Sequence, residues 1–247
     1  MRYSKFMFRY SLTKKTCGPA VVVGLFVGLA TLAPLHGVEG LQQTGTIHGV
    51  VTMADPPSPS TLEVTTDQMV CGDAVPNEEI IADADGHVAN VVVRLTGVPW
   101  PAEALAPAID NEACLFVPHV QIVPTRSQLL VTSQDDTLHS THSYDDRNRT
   151  GFNIAMPFAG MEVNRPLRRP GVVRIECDSH AWMRGWVVVS NDVGAVSGVD
   201  GVFTIAGVPA GAHELTIWHE RLVASPQTVT VTAGAVTEVT VALEPAG

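Results

Sequence analysis

From Gly45 onward, apolar and polar residues alternate in short runs with a period of two, the mark of half-buried strands. GTIHGVVTM (45–53) reads this way, and a break rich in proline (Pro56, Pro57, Pro59) separates it from LEVTT (62–66). HVANVVVRL (87–95) predicts a strong strand. LFVPHVQIV (115–123), SQLLVTS (127–133), HSTHSY (139–144), VVRIEC (172–177) and GWVVVS (185–190) predict five more. Beyond a Gly- and Asp-rich stretch, VFTIAGV, HELTIWHE and TVTVTAGAVTEVTVALE supply four others, the last two joined around Ala233-Gly234. Residues 97–113 hold three prolines and no sustained pattern, so a surface insertion is expected there. Short Val- and Thr-rich runs, bounded by turn residues at near-regular spacing and without helix-period stretches, predict an all-β sandwich or barrel.

The first residues follow a different rule. Arg2, Lys5, Arg9, Lys14 and Lys15 form a basic head, an apolar run extends from Pro19 to Leu35, and small or polar residues follow. This predicts a signal peptide over residues 1–37, with an uncleaved anchor as the alternative. No second hydrophobic span follows, so no membrane crossing is expected beyond the leader, and the mature protein is expected in the periplasm or outside the cell. Cleavage removes five cations and no acid. Ten arginines then face 25 acidic residues, and the formal net charge moves from −10 to −15. An acidic body excludes nucleic acid as a partner class. Seven of those arginines (Arg147, Arg149, Arg165, Arg168, Arg169, Arg174 and Arg184) fall in one segment, where they form either a solvated surface or a patch that steers an acidic partner.

Export leaves three cysteines: Cys71, Cys114 and Cys177. An odd count in an oxidising compartment is most simply partitioned as a Cys71–Cys114 disulfide plus one protected thiol. Cys177 opens the string CDSHAWMRGW, which places Cys177, His180 and Met183 on one loop between two predicted strands. A thiolate, an imidazole and a thioether are soft enough together to select copper, and a second histidine would complete a trigonal set with a weak axial Met. His139, at the start of a predicted strand, offers it.

These segments resemble the cupredoxins, the blue copper proteins related to plastocyanin, and the Cys-x2-His-x2-Met spacing is similar to that of amicyanin. The resemblance covers residues 87–190 and implies a Greek-key β-sandwich. It also implies a mononuclear copper site held by His139, Cys177, His180 and Met183, one-electron transfer, and a redox partner that the sequence does not name. In that frame VANVVVRL is the first strand and His180 is the edge from which an electron leaves. The insertion at 97–113 departs from the pattern. So does His142, three residues after His139 and so on the opposite face of a regular strand. His142 and His119 stand behind the four ligands as alternatives, and a set containing both His139 and His142 would suit tetrahedral zinc instead. Asp135 and Asp136 are expected to shape the turn or to hold His139 from outside. His219 is expected to be structural, with Glu220 as its partner.

DGVFTIAGVPAGAHELTIWHE (200–220) and GTIHGVV resemble a carboxypeptidase-regulatory-like or transthyretin-like β module. Combined with a cupredoxin region, this layout is similar to exported bacterial proteins of the methylamine-utilisation type. The implied organisation is a leader (1–37), an N-terminal β segment (41–86) whose first strand belongs to the C-terminal module, a copper domain (87–190) and a smaller β-sandwich (191–247). The chain has no P-loop, GxSxG, HExxH or dinucleotide fingerprint, and no His-x-His pair for a multicopper cluster. The reading is therefore a carrier rather than an enzyme. Copper handling or delivery, and a carbohydrate-binding or adhesion module, are the competing functions.

Overall fold

A computed structural model describes residues 43–102 and 106–246. The predicted leader lies outside them. Among the described residues no helix is long and apolar enough to cross a membrane. The protein is all-β, and its strands form layered sheets around two main cores.

The first core lies between two four-stranded sheets. In one, Thr44–Met53 runs antiparallel to Val202–Pro209 and parallel to Val236–Pro245, with Leu222–Val223 at the edge. In the other, Val92–Pro99 lies between Asp192–Val196 and Gly211–Trp218, and Gln227–Val231 closes the far side. The inward residues are those that the period of two assigns: Ile47 and Val51 from the first strand, Phe203 and Ile205, Leu215, and Val241.

The second core holds the proposed site at one end. Its larger sheet has the order Thr150–Met156, His139–Tyr144, Gly171–Glu176, Arg184–Ser190, Val120–Pro124. The facing sheet has the order Glu162–Leu167, Ser127–Ser133, Ala108–Glu112, Leu115–Val117. Ile109, Phe116, Leu129, Val131, Ile154, Met156, Ile175 and Val187 fill the space between them. A small hairpin, Thr61–Glu63 with Ala74–Pro76, carries the single-turn helix Gln68–Cys71 and joins this core through Val64, Cys71 and Val75.

Four features differ from the sequence expectations. LFVPHVQIV, read as one strand, is divided around Pro118 into Leu115–Val117 and Val120–Pro124, which lie in different sheets. Val92–Pro99 pairs with Asp192–Val196 and Gly211–Trp218, not with strands of the site sheet. Its continuous apolar run is buried on both faces: Val93 and Leu95 enter the first core, while Val92 meets Val120 and Val188 beside the Trp186–Trp218 pair. Ala108–Glu112, expected within a patternless insertion, is a strand. Its inward residues are Ile109 and Asn111, and the buried amide hides the alternation. Thr150–Met156 and Glu162–Leu167 are further strands at the sheet edges, where Gly151, Pro166 and the polar residues weaken the apolar pattern.

Candidate metal centre

The ladder of the larger sheet brings the site residues together. His139 opens its strand opposite Met156, and Cys177 directly follows Glu176, which is paired with both His142 and Arg184. The intervening loop folds back on itself: the Met183 amide donates to the His180 carbonyl at 3.0 Å and the Cys177 amide to the Met183 carbonyl at 3.3 Å. His139 and His180 are fully buried, and Cys177 and Met183 are 5 % and 1 % exposed. Met183 belongs to the same apolar cluster as Cys177.

Three donor atoms converge. The Nδ1 atoms of His139 and His180 are 3.0 Å apart, and Cys177 Sγ lies 3.5 Å from His180 Nδ1 and 4.0 Å from His139 Nδ1. A triangle with these sides encloses a point about 2.1 Å from every corner, close to the bond length of a first-row metal to imidazole nitrogen and slightly short for sulfur. The outer ring nitrogens are also occupied. His139 Nε2 is 3.0 Å from Asp135 Oδ2, and His180 Nε2 is 3.0 Å from Asp67 Oδ2. A carboxylate only accepts, so each Nε2 carries a hydrogen and each Nδ1 turns a lone pair inward. Two lone pairs at 3.0 Å repel unless a cation or proton lies between them. Burial, and then the neighbouring His180, hold His139 below the ordinary histidine range, which keeps it in the neutral, ligating form. The donor set therefore fits a soft transition metal.

The backbone N–H of Ser140 donates to Cys177 Sγ at 3.3 Å, and the Asp178 N–H donates to Ser140 Oγ at 2.6 Å, so the sulfur and its loop are fixed from the adjacent strand.

His142 points away from the triangle. Its ring stacks on Tyr144 with centroids 4.1 Å apart, and it hydrogen-bonds with Asp178 and Thr150, each at 2.9 Å. His119 is also elsewhere: its Nε2 pairs with Glu220 at 2.5 Å and its Nδ1 lies 3.5 Å from Glu78. Burial opposes a charge on His119, but Glu220 and Glu78 outweigh it and raise its pKa to about 9. Glu220 thus partners His119 rather than His219. The Nδ1 of His219 accepts the backbone N–H groups of Arg221 and Leu222, and burial lowers its pKa to about 4.

Cys71 and Cys114 form a disulfide with Cα atoms 5.4 Å apart. His180, expected at the exposed edge, is instead covered, because Asp67 on the hairpin bearing Cys71 reaches its outer nitrogen. Asp67 is the site residue that the sequence reading missed. It is 113 residues from His180, and the only signal was its place four residues before a cysteine already assigned to a bridge.

No family profile and no curated protein matches the chain. Solved structures that it resembles in part include a cupredoxin, amicyanin and a copper-containing nitrite reductase. A purple cupredoxin from Nitrosopumilus maritimus is 23% identical and covers 34% of this chain and 99% of its own, with a TM-score of 0.31. Amicyanin from Paracoccus versutus is 15% identical and covers 40% of this chain and 97% of its own, with a TM-score of 0.32. A copper-containing nitrite reductase from Thermus scotoductus is 17% identical and aligns over 38% of this chain and 26% of its own, with a TM-score of 0.30.

Proposed function

We propose that this protein is an exported one-electron carrier that binds one copper ion through His139, Cys177, His180 and Met183. The observation that carries this reading is the buried triangle of two Nδ1 atoms and one Sγ, with both histidine tautomers set by carboxylates. Copper held there would supply a centre able to alternate between Cu(I) and Cu(II). The chain's part is to keep that centre's surroundings unchanged between the two states. Asp135 and Asp67 fix the rings, the Ser140 N–H fixes the sulfur, and Met183 and the apolar cluster exclude water. Rigid ligands lower the reorganisation that accompanies electron transfer, and no bond-making step is assigned to the site.

The principal alternative is copper handling. A delivery protein must present its ion to incoming ligands, whereas an electron crosses a few ångströms of packed atoms without any opening. Ligands that are at most 5 % exposed favour the carrier. Zinc is the less favoured metal, because His142 faces away and the triangle gains no third imidazole. The proposed organisation places the copper region in the second core. A transthyretin-like module would be built from Thr44–Met53, Val92–Pro99, Asp192–Val196 and the strands from Val202 onward, with a redox partner protein met in the periplasm or outside the cell.

Metal analysis of protein purified without chelator, beside Cys177→Ser, tests the assignment. The expected outcome is stoichiometric copper and an intense thiolate-to-copper visible band in the wild type, both absent from the variant. Copper content that Cys177→Ser leaves unchanged refutes it. A colourless protein that holds copper only as Cu(I) moves the function to handling.

A further inference from the structure

Both carboxylates that orient the histidines lead back to one disulfide. Asp67 caps the helix Gln68–Cys71, and its carbonyl accepts the Cys71 N–H at 2.9 Å. Asp135 accepts the N–H groups of Ala113 and Cys114, at 2.9 and 2.8 Å, while its Oδ2 also holds His139. A third contact ends at the same place: Trp182 Nε1 donates to the Cys114 carbonyl at 3.1 Å, and the Trp182 ring lies 5.0 Å from the His180 ring.

The local backbone is unusual on both sides of the bridge. Asp67 has φ 54°, and Ala113 and Cys114 have φ 51° and 57°. Ala113 and Cys114 form the two-residue turn between Ala108–Glu112 and Leu115–Val117, where Asn-Gly is the ordinary choice. Left-handed conformations are costly in residues other than glycine and persist where surrounding contacts over-determine them. Here the contacts are Asp135 on one side and the disulfide on the other.

We propose that the hairpin Thr61–Pro76, locked by Cys71–Cys114, is a clasp that positions both histidines and closes the outer edge of His180. Asp67 is its positioning residue for His180, and Cys114 carries the link to Asp135 and His139. With the clasp closed, the outer nitrogen of His180 is occupied by the Asp67 carboxylate at the start of the helix Gln68–Cys71. The half-buried ring of Trp182, which lines the neighbouring cleft with His119 and Glu78, is then the aromatic group in contact with His180 that reaches toward the surface.

This inference rests on the same pocket as the proposed copper site, but its test needs no metal. In metal-free full-length protein, alkylation of Cys177 by iodoacetamide is followed by mass spectrometry of the peptide containing it. The wild type is compared with Asp67→Ala, Asp67→Asn and the double variant Cys71→Ser/Cys114→Ser. Loss of one charge-assisted hydrogen bond is expected to speed the reaction about tenfold in Asp67→Ala, with a larger increase when the bridge is removed. Asp67→Asn, which can still accept the Nε2–H bond, is expected to stay near the wild-type rate. Asp67→Ala keeps the disulfide, so it decides the matter even if the double variant fails to fold. A wild-type rate in Asp67→Ala overturns the clasp. So does an Asp67→Asn rate equal to that of Asp67→Ala. The copper assignment fails separately, by metal analysis.

Discussion

His119 makes the stability of the fold depend on pH in a window that can be worked out in advance. Its side chain is 6 % exposed and lies between Glu220, 3 % exposed, and Glu78, 20 % exposed. The pair spans the molecule: His119 precedes Val120–Pro124 of the site sheet, and Glu220 follows Gly211–Trp218 of the other core. Despite the opposing effect of burial, the carboxylates raise the pKa of His119 from 6.5 to about 9. A raised value means that the folded protein holds its proton to higher pH than the unfolded chain does. The stabilisation is therefore complete below pH 6.5, shrinks as pH rises, and is gone above about pH 9. At about 1.4 kcal/mol per pH unit, the difference is at most about 3 to 4 kcal/mol, a large share of a typical domain's stability. Urea unfolding followed by tryptophan fluorescence at pH 6, 7.5 and 9.5 measures it, with His119→Gln as the reference. Groups common to both proteins cancel in the difference. The wild-type advantage is expected to be largest at pH 6 and absent at pH 9.5. Parallel profiles for the two proteins across that range would refute the reasoning.

Two further outcomes follow from the geometry. His139→Ala removes one of the three converging donors and is expected to abolish stoichiometric metal, whereas His142→Ala, whose ring faces Tyr144 and Thr150, is expected to retain it; equal loss in metal analysis of the two variants would mean that His142 ligates. Ser197 is buried, donates to the Val88 carbonyl at 2.8 Å and accepts the Val91 N–H at 3.0 Å, so Ser197→Ala leaves two interior backbone groups unpaired. A loss of about 1–3 kcal/mol in chemical denaturation is expected, and a change under about 0.5 kcal/mol would show that the groups find other partners.

The legible parts of the fold are those where one face of a strand is buried and the other wet. Thr44–Met53 alternates buried and half-buried residues along its whole length, and its sequence says so. Val92–Pro99 shows the limit. Its run of valines correctly marks a strand, but a strand buried on both faces carries no alternation to say which sheet it joins. Ala108–Glu112 fails for the opposite reason. Asn111 is fully buried because its amide donates to the Thr132 carbonyl at 2.7 Å and to Thr141 at 3.3 Å. A polar residue whose amide nitrogen is held inside by such bonds is indistinguishable, in a string of letters, from one that faces water.

The site divides along the same line, between what is local and what is not. The convergence of Cys177 and His180 was legible because one loop carries both, whereas Met183 on the same loop lies in the apolar cluster, where packing alone also calls for a methionine. His139 was legible through its position at a strand start, and the opposite facing of His142 follows from strand geometry alone. Asp67 had no such signal, since a carboxylate before a cysteine is ordinary in any chain. What gives it a role is the bridge, which fixes residue 71 beside residue 114 and so carries an otherwise exposed hairpin onto a histidine far along the chain. Cysteine counting had already paired those two residues. The step it lacked was geometric: a crosslink delivers the residues around it as well as its own sulfurs, and the polar groups within one turn of each cysteine are the ones to test against the nearest metal-binding loop.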